Sequence, residues 1–145
     1  NVRILSIVKA CLNMASSKTG ALIVISKKND LEMYAQKGDI IDARTSSRLL
    51  EAIFYKNNPL HDGAVIIYDE KIHAASCILP VSASTSIPAR FGMRHRAALG
   101  ISEQTDAIVI VVSEETGKIS FVKNGRLLSN VRSRELVIHL ENEFR

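Results

Sequence analysis

Tryptophan is absent from this chain of 145 residues, and aromatic residues make up only 5% of it. Single-stranded nucleic acid is bound on aromatics interleaved with basic residues, so that function class lacks its main ingredient. The net charge of +4 is mild. It suits anionic small molecules but lacks the dense Lys/Arg blocks of a nucleic-acid arm. Two cysteines, Cys11 and Cys77, are too few for a disulfide framework. Both lie in apolar runs and read as reduced core thiols. No apolar run reaches the ~18 residues of a membrane-spanning helix, and no signal peptide is visible. Because the chain starts at Asn1, the expectation is a fragment, so the missing span says little about the parent protein. There is no Walker loop (GxxxxGK[ST]) and no GxGxxG, which leaves the usual P-loop and dinucleotide-binding readings without support. Internal repeats and low-complexity linkers are also missing.

What is present suits one soluble domain over residues 1–145. Hydrophobic residues reach 46% and charged residues 23%, ample for a single core. Leu5, Val8, Leu12 and Ala15 recur at helical spacing, with Gly20 as the expected stop. Residues 21–26 (ALIVIS) and 107–113 (AIVIVVS) are short, apolar and β-branched, and read as buried strands. Residues 27–39 read as a polar connection with room for one helical turn. Thr45, Ser46 and Ser47 offer caps for a helix over 48–56, with Leu49, Ile53 and Phe54 inward; Asn58-Pro59 ends it. Residues 64–68 and 72–79 flank Asp69-Glu70-Lys71 as a hairpin. The Ser- and Pro-rich stretch 80–90 reads as a loop, flexible over 82–86. A helix is expected from near Gly92 through Leu99. Thr116-Gly117 and Asn124-Gly125 mark hairpin turns around a strand at 119–123. Ser133 is the expected cap of a last helix carrying Leu136, Val137, Leu140 and Phe144. Buried strands mixed with hairpins and helices imply an α/β fold: a central mixed sheet with helices on both faces.

Three constellations carry chemistry. In Arg94-His95-Arg96, three cationic or near-cationic groups stand side by side after Gly92 and Met93. Successive helical residues point about 100° apart, so they cannot share a mid-helix face. At a helix start they could: free N–H groups there attract phosphate, and arginines grip its oxygens in a fork. A solvated charge run is the competing reading. The second constellation is His61-Asp62-Gly63-Ala64, ahead of an apolar strand. A carboxylate at a strand end can hold a divalent cation or take a proton from a hydroxyl, and Gly63 and Ala64 leave room for a bulky ligand. An ordinary Asp-Gly turn is the alternative, and His61 alone is more often structural. The third is Ser113-Glu114-Glu115 at another strand exit, either part of a metal site or a hairpin turn with solvated acids. His73 and His139 read as structural or exposed. Together the three constellations suggest a metal–nucleotide site and phosphoryl-transfer chemistry.

PLHDGAVII (59–67), GMRHRAALGISE (92–103) and VSEETG (112–117) closely resemble the diadenylate cyclase domain, in order and in spacing. The resemblance runs from about residue 10 to 123 and is nearest to the membrane-anchored housekeeping cyclases of bacteria. It implies a reaction in which two ATP molecules lie face to face in a homodimer. Each 3′-hydroxyl attacks the other nucleotide's α-phosphorus, giving cyclic di-AMP and two pyrophosphates. It implies Mg²⁺ or Mn²⁺ at Asp62, with Glu115 and His61 as further ligands. It implies that Arg94, His95 and Arg96 hold the triphosphate and aid catalysis with Asp62. Gly63, Ala64, Leu79, Met93, Ser113 and Glu114 would contact nucleotide. It also implies a parent protein anchored by transmembrane helices, with this domain at the cytoplasmic face, open to regulatory protein partners and binding no nucleic acid. Met93 stands where many relatives carry Thr, and Ile78 where many carry Tyr. A non-catalytic nucleotide sensor and a nucleic-acid phosphate clamp are the competing functions.

Overall fold

A computed structural model describes residues 2–28, 31–84 and 87–145. Among them the chain forms α1 (Ile4–Ser17), β1 (Ala21–Ile25), α2 (Glu32–Ala35), β2 (Asp39–Arg44), α3 (Ser47–Phe54), β3 (Ala64–Tyr68), β4 (Lys71–Cys77), α4 (Met93–Gln104), β5 (Ile108–Val112), β6 (Ile119–Lys123), β7 (Arg126–Leu128) and α5 (Ser133–Phe144). All seven strands join one mixed sheet, in the order β2-β4-β3-β1-β5-β6-β7. β1 runs parallel to β3 and antiparallel to β5.

β1 and β5 are buried at every residue, which is why their sequences are continuous apolar runs rather than alternating ones. Along β1 the side chains split between two cores. Ala21, Ile23 and Ile25 face α1, α3 and α5, while Leu22 and Val24 face α2 and α4. Burial of each such Ile or Val contributes about 1.5–3 kcal/mol. Cys11 lies in the first core and Cys77 in the second, on opposite faces of the sheet. Both are free, and burial pushes their thiols up to about 12 and about 11.

Several elements differ from the sequence expectation. α1 exists, but it turns Ile7, Val8, Cys11 and Met14 inward and leaves Leu5 75% and Leu12 40% exposed. Apolar residues lie nearly all round this helix, so contacts with α3 and α5 choose the face. Its C-cap is Lys18, in the left-handed region at φ 53°, so Gly20 is not the stop. Edge strand β2 was not expected. Its sequence, DIIDAR, carries charges, and the register shifts between Ile40 and Ala43, around Asp42 at φ 51°. Ser133 is the first helical residue of α5. The N–H of Arg132 before it donates to Glu135 Oε1 at 3.0 Å. In the expected flexible run 82–86, Ser82 is buried and well bonded, and residues 85–86 lie outside the described ones. Within the 27–39 connection, α2 supplies the helical turn, and residues 29–30 are likewise outside. His73 bonds Glu32 at 2.9 Å, and His139 stacks on Phe121 at 4.7 Å between ring centres.

α4 is fixed by a strap, the chain leaving β4. Ser82 N–H donates to the Arg96 carbonyl at 3.0 Å, and Ser82 Oγ donates to Glu103 Oε2 at 2.9 Å. Gly100 makes this approach possible, because a Cβ there would lie 2.0 Å from the Pro80 carbonyl oxygen. Ala favours a helix interior over Gly by about 1 kcal/mol, yet overpacking against backbone costs about 1–3 kcal/mol. Gly100→Ala is therefore expected to destabilise the protein despite its helix preference. Thermal melts of the two proteins check this, and a variant with a raised midpoint would mean that the strap yields freely.

Candidate active site

Pairing around β1 brings three loops to one edge of the sheet. Ala21 pairs with Val112, so Gly20 and Ser113 leave the sheet side by side. Ile23 pairs with Val65 in parallel, and the same offset sets Gly63 beside Ala21. An open cleft of about 580 Å³ lies there. Its walls come from His61–Gly63 before β3, from the turn after β5, and from residues 90–95 at the start of α4.

Gly63 has φ +88°, and a Cβ on it would lie 2.7 Å from the Cys77 carbonyl oxygen. Both facts require glycine, and they leave bare backbone at the cleft wall. Asp62 beside it is 84% exposed at its side chain. His61 Nδ1 lies 2.8 Å from the Asn58 carbonyl oxygen, which can only accept, so the ring carries its proton on Nδ1. The other ring nitrogen, Nε2, lies 3.3 Å from Asp62 Oδ1. An imidazole nitrogen beside a carboxylate oxygen is a donor set that a shared cation takes.

α4 starts at Gly92, which offers no side-chain cap, and no acid lies in the first turn. The first free N–H groups therefore sit at the cleft with their partial positive charge unanswered. Nothing lies within 4 Å of a Cβ built on Gly92, so the approach is open. The Arg94 guanidinium crosses Gly20, where a Cβ would come within 2.6 Å of it, and its Nη1 lies 3.4 Å from Glu114 Oε1. Such a half-exposed pair is worth about 0–1 kcal/mol and exchanges readily for phosphate. His95 is buried, and its pKa is held below the ordinary value by burial first and by the Arg94 charge second. Ser113 Oγ accepts from the N–H groups of Glu115 and Thr116, each at 3.2 Å, which shapes the turn presenting Glu114 and Glu115.

Of the residues singled out in the sequence, His61, Asp62, Gly63, Met93, Arg94, His95, Ser113, Glu114 and Glu115 line this cleft. Ala64, Leu79 and Arg96 do not. Ala64 is fully buried behind Gly63, and the Leu79 side chain is buried in the core facing α4. The Arg96 carbonyl holds the strap. Thr116, which follows Glu115 in the third constellation, also lines the cleft, whereas sequence reasoning gave no role to Arg90, Phe91 and Lys118. Phe91 and Arg90 directly precede Gly92, and an aromatic beside a cation at a helix start was the signal available.

Among the described residues no three His, Cys, Asp or Glu side chains gather as a metal cage. The donor set still fits Mg²⁺ or Mn²⁺, which take one or two carboxylates and complete their shell with water and substrate phosphates.

Gly20→Ala separates fold from site. The clash falls on the far end of a flexible side chain, so stability should change by less than about 1 kcal/mol. Arg94 must move, and triphosphate affinity should fall about tenfold or more. Thermal melts paired with calorimetry check both halves. Unchanged affinity would show that Arg94 grips nothing from this position.

The model of the family described as DisA bacterial checkpoint controller nucleotide-binding matches residues 8–127. Cyclic di-AMP synthase CdaA of Bacillus subtilis is 46% identical over 97% of this chain and 51% of its own length. A diadenylate cyclase of Listeria monocytogenes is 49% identical over 90% of this chain and 48% of its own. The chain thus spans about half the length of these two relatives. Among solved structures, a double mutant of DacA from Staphylococcus aureus superposes with a TM-score of 0.95 at 43% identity, over 97% of this chain and 94% of that one. A hypothetical membrane spanning protein from Bacillus cereus reaches 0.84 at 45% identity, over 87% and 62%. In the described residues of this chain no helix is long and apolar enough to cross a membrane. With its family model spanning most of the sheet and nearly all of the cleft lining, the chain belongs to the DisA-type nucleotide-binding family, the diadenylate cyclase domain.

Proposed function

We propose that this domain is the catalytic unit of a diadenylate cyclase, condensing two ATP into cyclic di-AMP and two pyrophosphates. The observation that carries the reading is one cleft joining a strand-end carboxylate, Asp62, to a helix N-terminus flanked by Arg94. The likeness to cyclases over almost the whole chain supports it.

In this reading the triphosphate lies against the free N–H groups of Met93, Arg94 and His95. Arg94 leaves Glu114 for phosphate oxygens. Met93 contributes backbone only, where a Thr would add a hydroxyl. The bare backbone at Gly63 lets the nucleotide lie against the start of β3, with Ala64 behind it. The backbone at Leu79, where β4 runs out, borders the adenine. We assign Arg96 no phosphate contact within a single chain. Asp62 faces the 3′-hydroxyl. A carboxylate is a weak base for an alcohol, so positioning carries much of the barrier. Mg²⁺ or Mn²⁺, held by Asp62 and phosphate oxygens with His61 or Glu115 as further ligands, would neutralise charge and acidify the hydroxyl. As each new P–O bond forms, the bond to pyrophosphate breaks and the hydroxyl proton leaves toward Asp62 or water.

The parent protein is proposed to be membrane-anchored, with this domain on the cytoplasmic face. Regulatory protein partners are open to it there; nucleic acid is not a proposed ligand.

Incubation with ATP and Mn²⁺, followed by mass analysis, tests the reading directly. Cyclic dinucleotide is the expected product, and excess chelator should abolish it. Asp62→Asn should lower synthesis at least about a hundredfold while leaving ATP binding largely intact. Near wild-type turnover in that variant would leave only a nucleotide sensor.

One chain supplies one cleft, and the ring needs two attacks. The active species is therefore proposed to be a two-fold homodimer with facing clefts. Specific activity should rise with enzyme concentration until dimers saturate. Mixed dimers of wild-type and Asp62→Asn chains should release linear, half-joined dinucleotide. Cyclic product alone, at full rate from mixed dimers, would sever each Asp62 from its own half-reaction.

A further inference from the structure

Of the Arg-His-Arg motif only Arg94 brings a guanidinium to the cleft, and a further arginine lines it outside the motif. Arg94 reaches the cleft but is bonded to Glu114, and Arg96 does not line it. His95 contributes no full charge near neutral pH, because burial and Arg94 hold its pKa down. Asp62, Glu114 and Glu115 add negative charge to the same walls. Lys118 is the other cation in the lining, a flexible ammonium on the same turn as Glu114 and Glu115, so a triphosphate carrying about four negative charges would still meet more acid than base unless a further fixed cation faces it.

Arg90 is that cation. It lines the cleft, is exposed, and has no carboxylate partner among the described residues. It is also held in place. Its guanidinium carbon lies 4.7 Å from the centre of the Phe91 ring. The Phe91 ring in turn lies 4.7 Å from the His95 ring, tilted by 40°. His95 is buried in α4, so the tiers rest on a fixed base. A guanidinium stacked by its face on an aromatic ring keeps its N–H groups free at the edge. Those edge donors match two oxygens of a phosphate group.

We propose that Arg90 is a substrate-binding residue that grips the phosphates of the nucleotide, with Phe91 as the residue that positions it. The proposal rests on the nucleotide reading of the cleft given above, and it deepens that reading by adding a grip outside the recognised motif.

Calorimetry with ATP and with adenosine tests it. Arg90→Ala should weaken ATP binding about ten- to a hundredfold and leave adenosine binding unchanged. Arg48→Ala, which removes an exposed charge on α3 away from the cleft, should change neither. Arg90→Lys keeps the charge but loses the fork, and should recover only part of the ATP affinity. Phe91→Leu should weaken ATP binding when Arg90 is present and add little in the Arg90→Ala background. Wild-type ATP affinity in Arg90→Ala, or equal losses for ATP and adenosine, would overturn the proposal. So would a Phe91→Leu effect of the same size in both backgrounds, since Phe91 would then act independently of Arg90. A wild-type protein that binds ATP yet makes no cyclic product refutes the synthase reading alone, because the Arg90 comparison is made on binding. A protein that binds no ATP refutes both.

Discussion

The site depends on how β1 is paired. This strand is buried along its whole length and sits between a parallel neighbour, β3, and an antiparallel one, β5. A parallel neighbour starts at the same edge as β1, and an antiparallel neighbour finishes there. The entry to β1, the entry to β3 and the exit of β5 therefore share one edge, bringing Gly20, Asp62–Gly63 and Ser113–Glu115 together across more than ninety residues of sequence. A register slip of one residue would turn Ala21, Ile23 and Ile25 out of one core and Leu22 and Val24 out of the other. The hydrophobic cost of that slip protects the geometry of groups that are themselves exposed.

Small residues then decide how near the remaining walls can come. At Gly63 the backbone turns through a positive φ against the Cys77 carbonyl. At Gly20 the absent side chain is the channel through which Arg94 reaches Glu114. At Gly100 it lets α4 rest on the Pro80 carbonyl, far down the helix from the cleft. Ser82 ties the strap to both turns of that contact, through the Arg96 carbonyl and the Glu103 carboxylate. The helix whose first N–H groups face the cleft is thus held against the chain leaving β4. Leu79 lies on that same chain, so the proposed adenine and phosphate ends of the nucleotide site are tied by one set of contacts.

How much of this was legible in the sequence follows from how local each cause is. The strands at 21–25 and 108–112 were plain, because a strand buried on both faces must be apolar throughout. Asp62-Gly63 and Arg94-His95 were legible as chemistry, since each motif carries its reason in adjacent residues. The inner face of α1 was not, because its sequence offers apolar residues on nearly every side. Contacts with the sheet and with α3 and α5, distant in sequence, settle which side is buried. β2 was hidden by its charges and its irregular register. The Gly20–Arg94 contact joins residues seventy-four positions apart, which no local pattern encodes. Arg90 and Lys118 stand in loops, where sequence gives a charge but not the direction in which it points.

The electrostatics of the cleft complete the picture. Carboxylates and cations line the same cleft, and Arg94 and Glu114 answer each other in a weak, half-exposed pair. In the proposed reading a polyanionic nucleotide competes for the arginine at little cost, and the carboxylate it releases is left free for a cation. His95 plays a different part from the arginines that flank it. Burial and the neighbouring guanidinium both disfavour its protonated form. A charged imidazolium would have to be desolvated next to a like charge, on the same stack that supports Phe91. Guanidinium groups stay charged at any physiological pH. The guanidinium groups of the cleft thus keep their charge, while the His95 ring, whose protonation burial disfavours, packs against Phe91. In the proposed reading the strength of the phosphate grip then follows the charge of the ligand and the salt around it, rather than the protonation state of the motif's central residue.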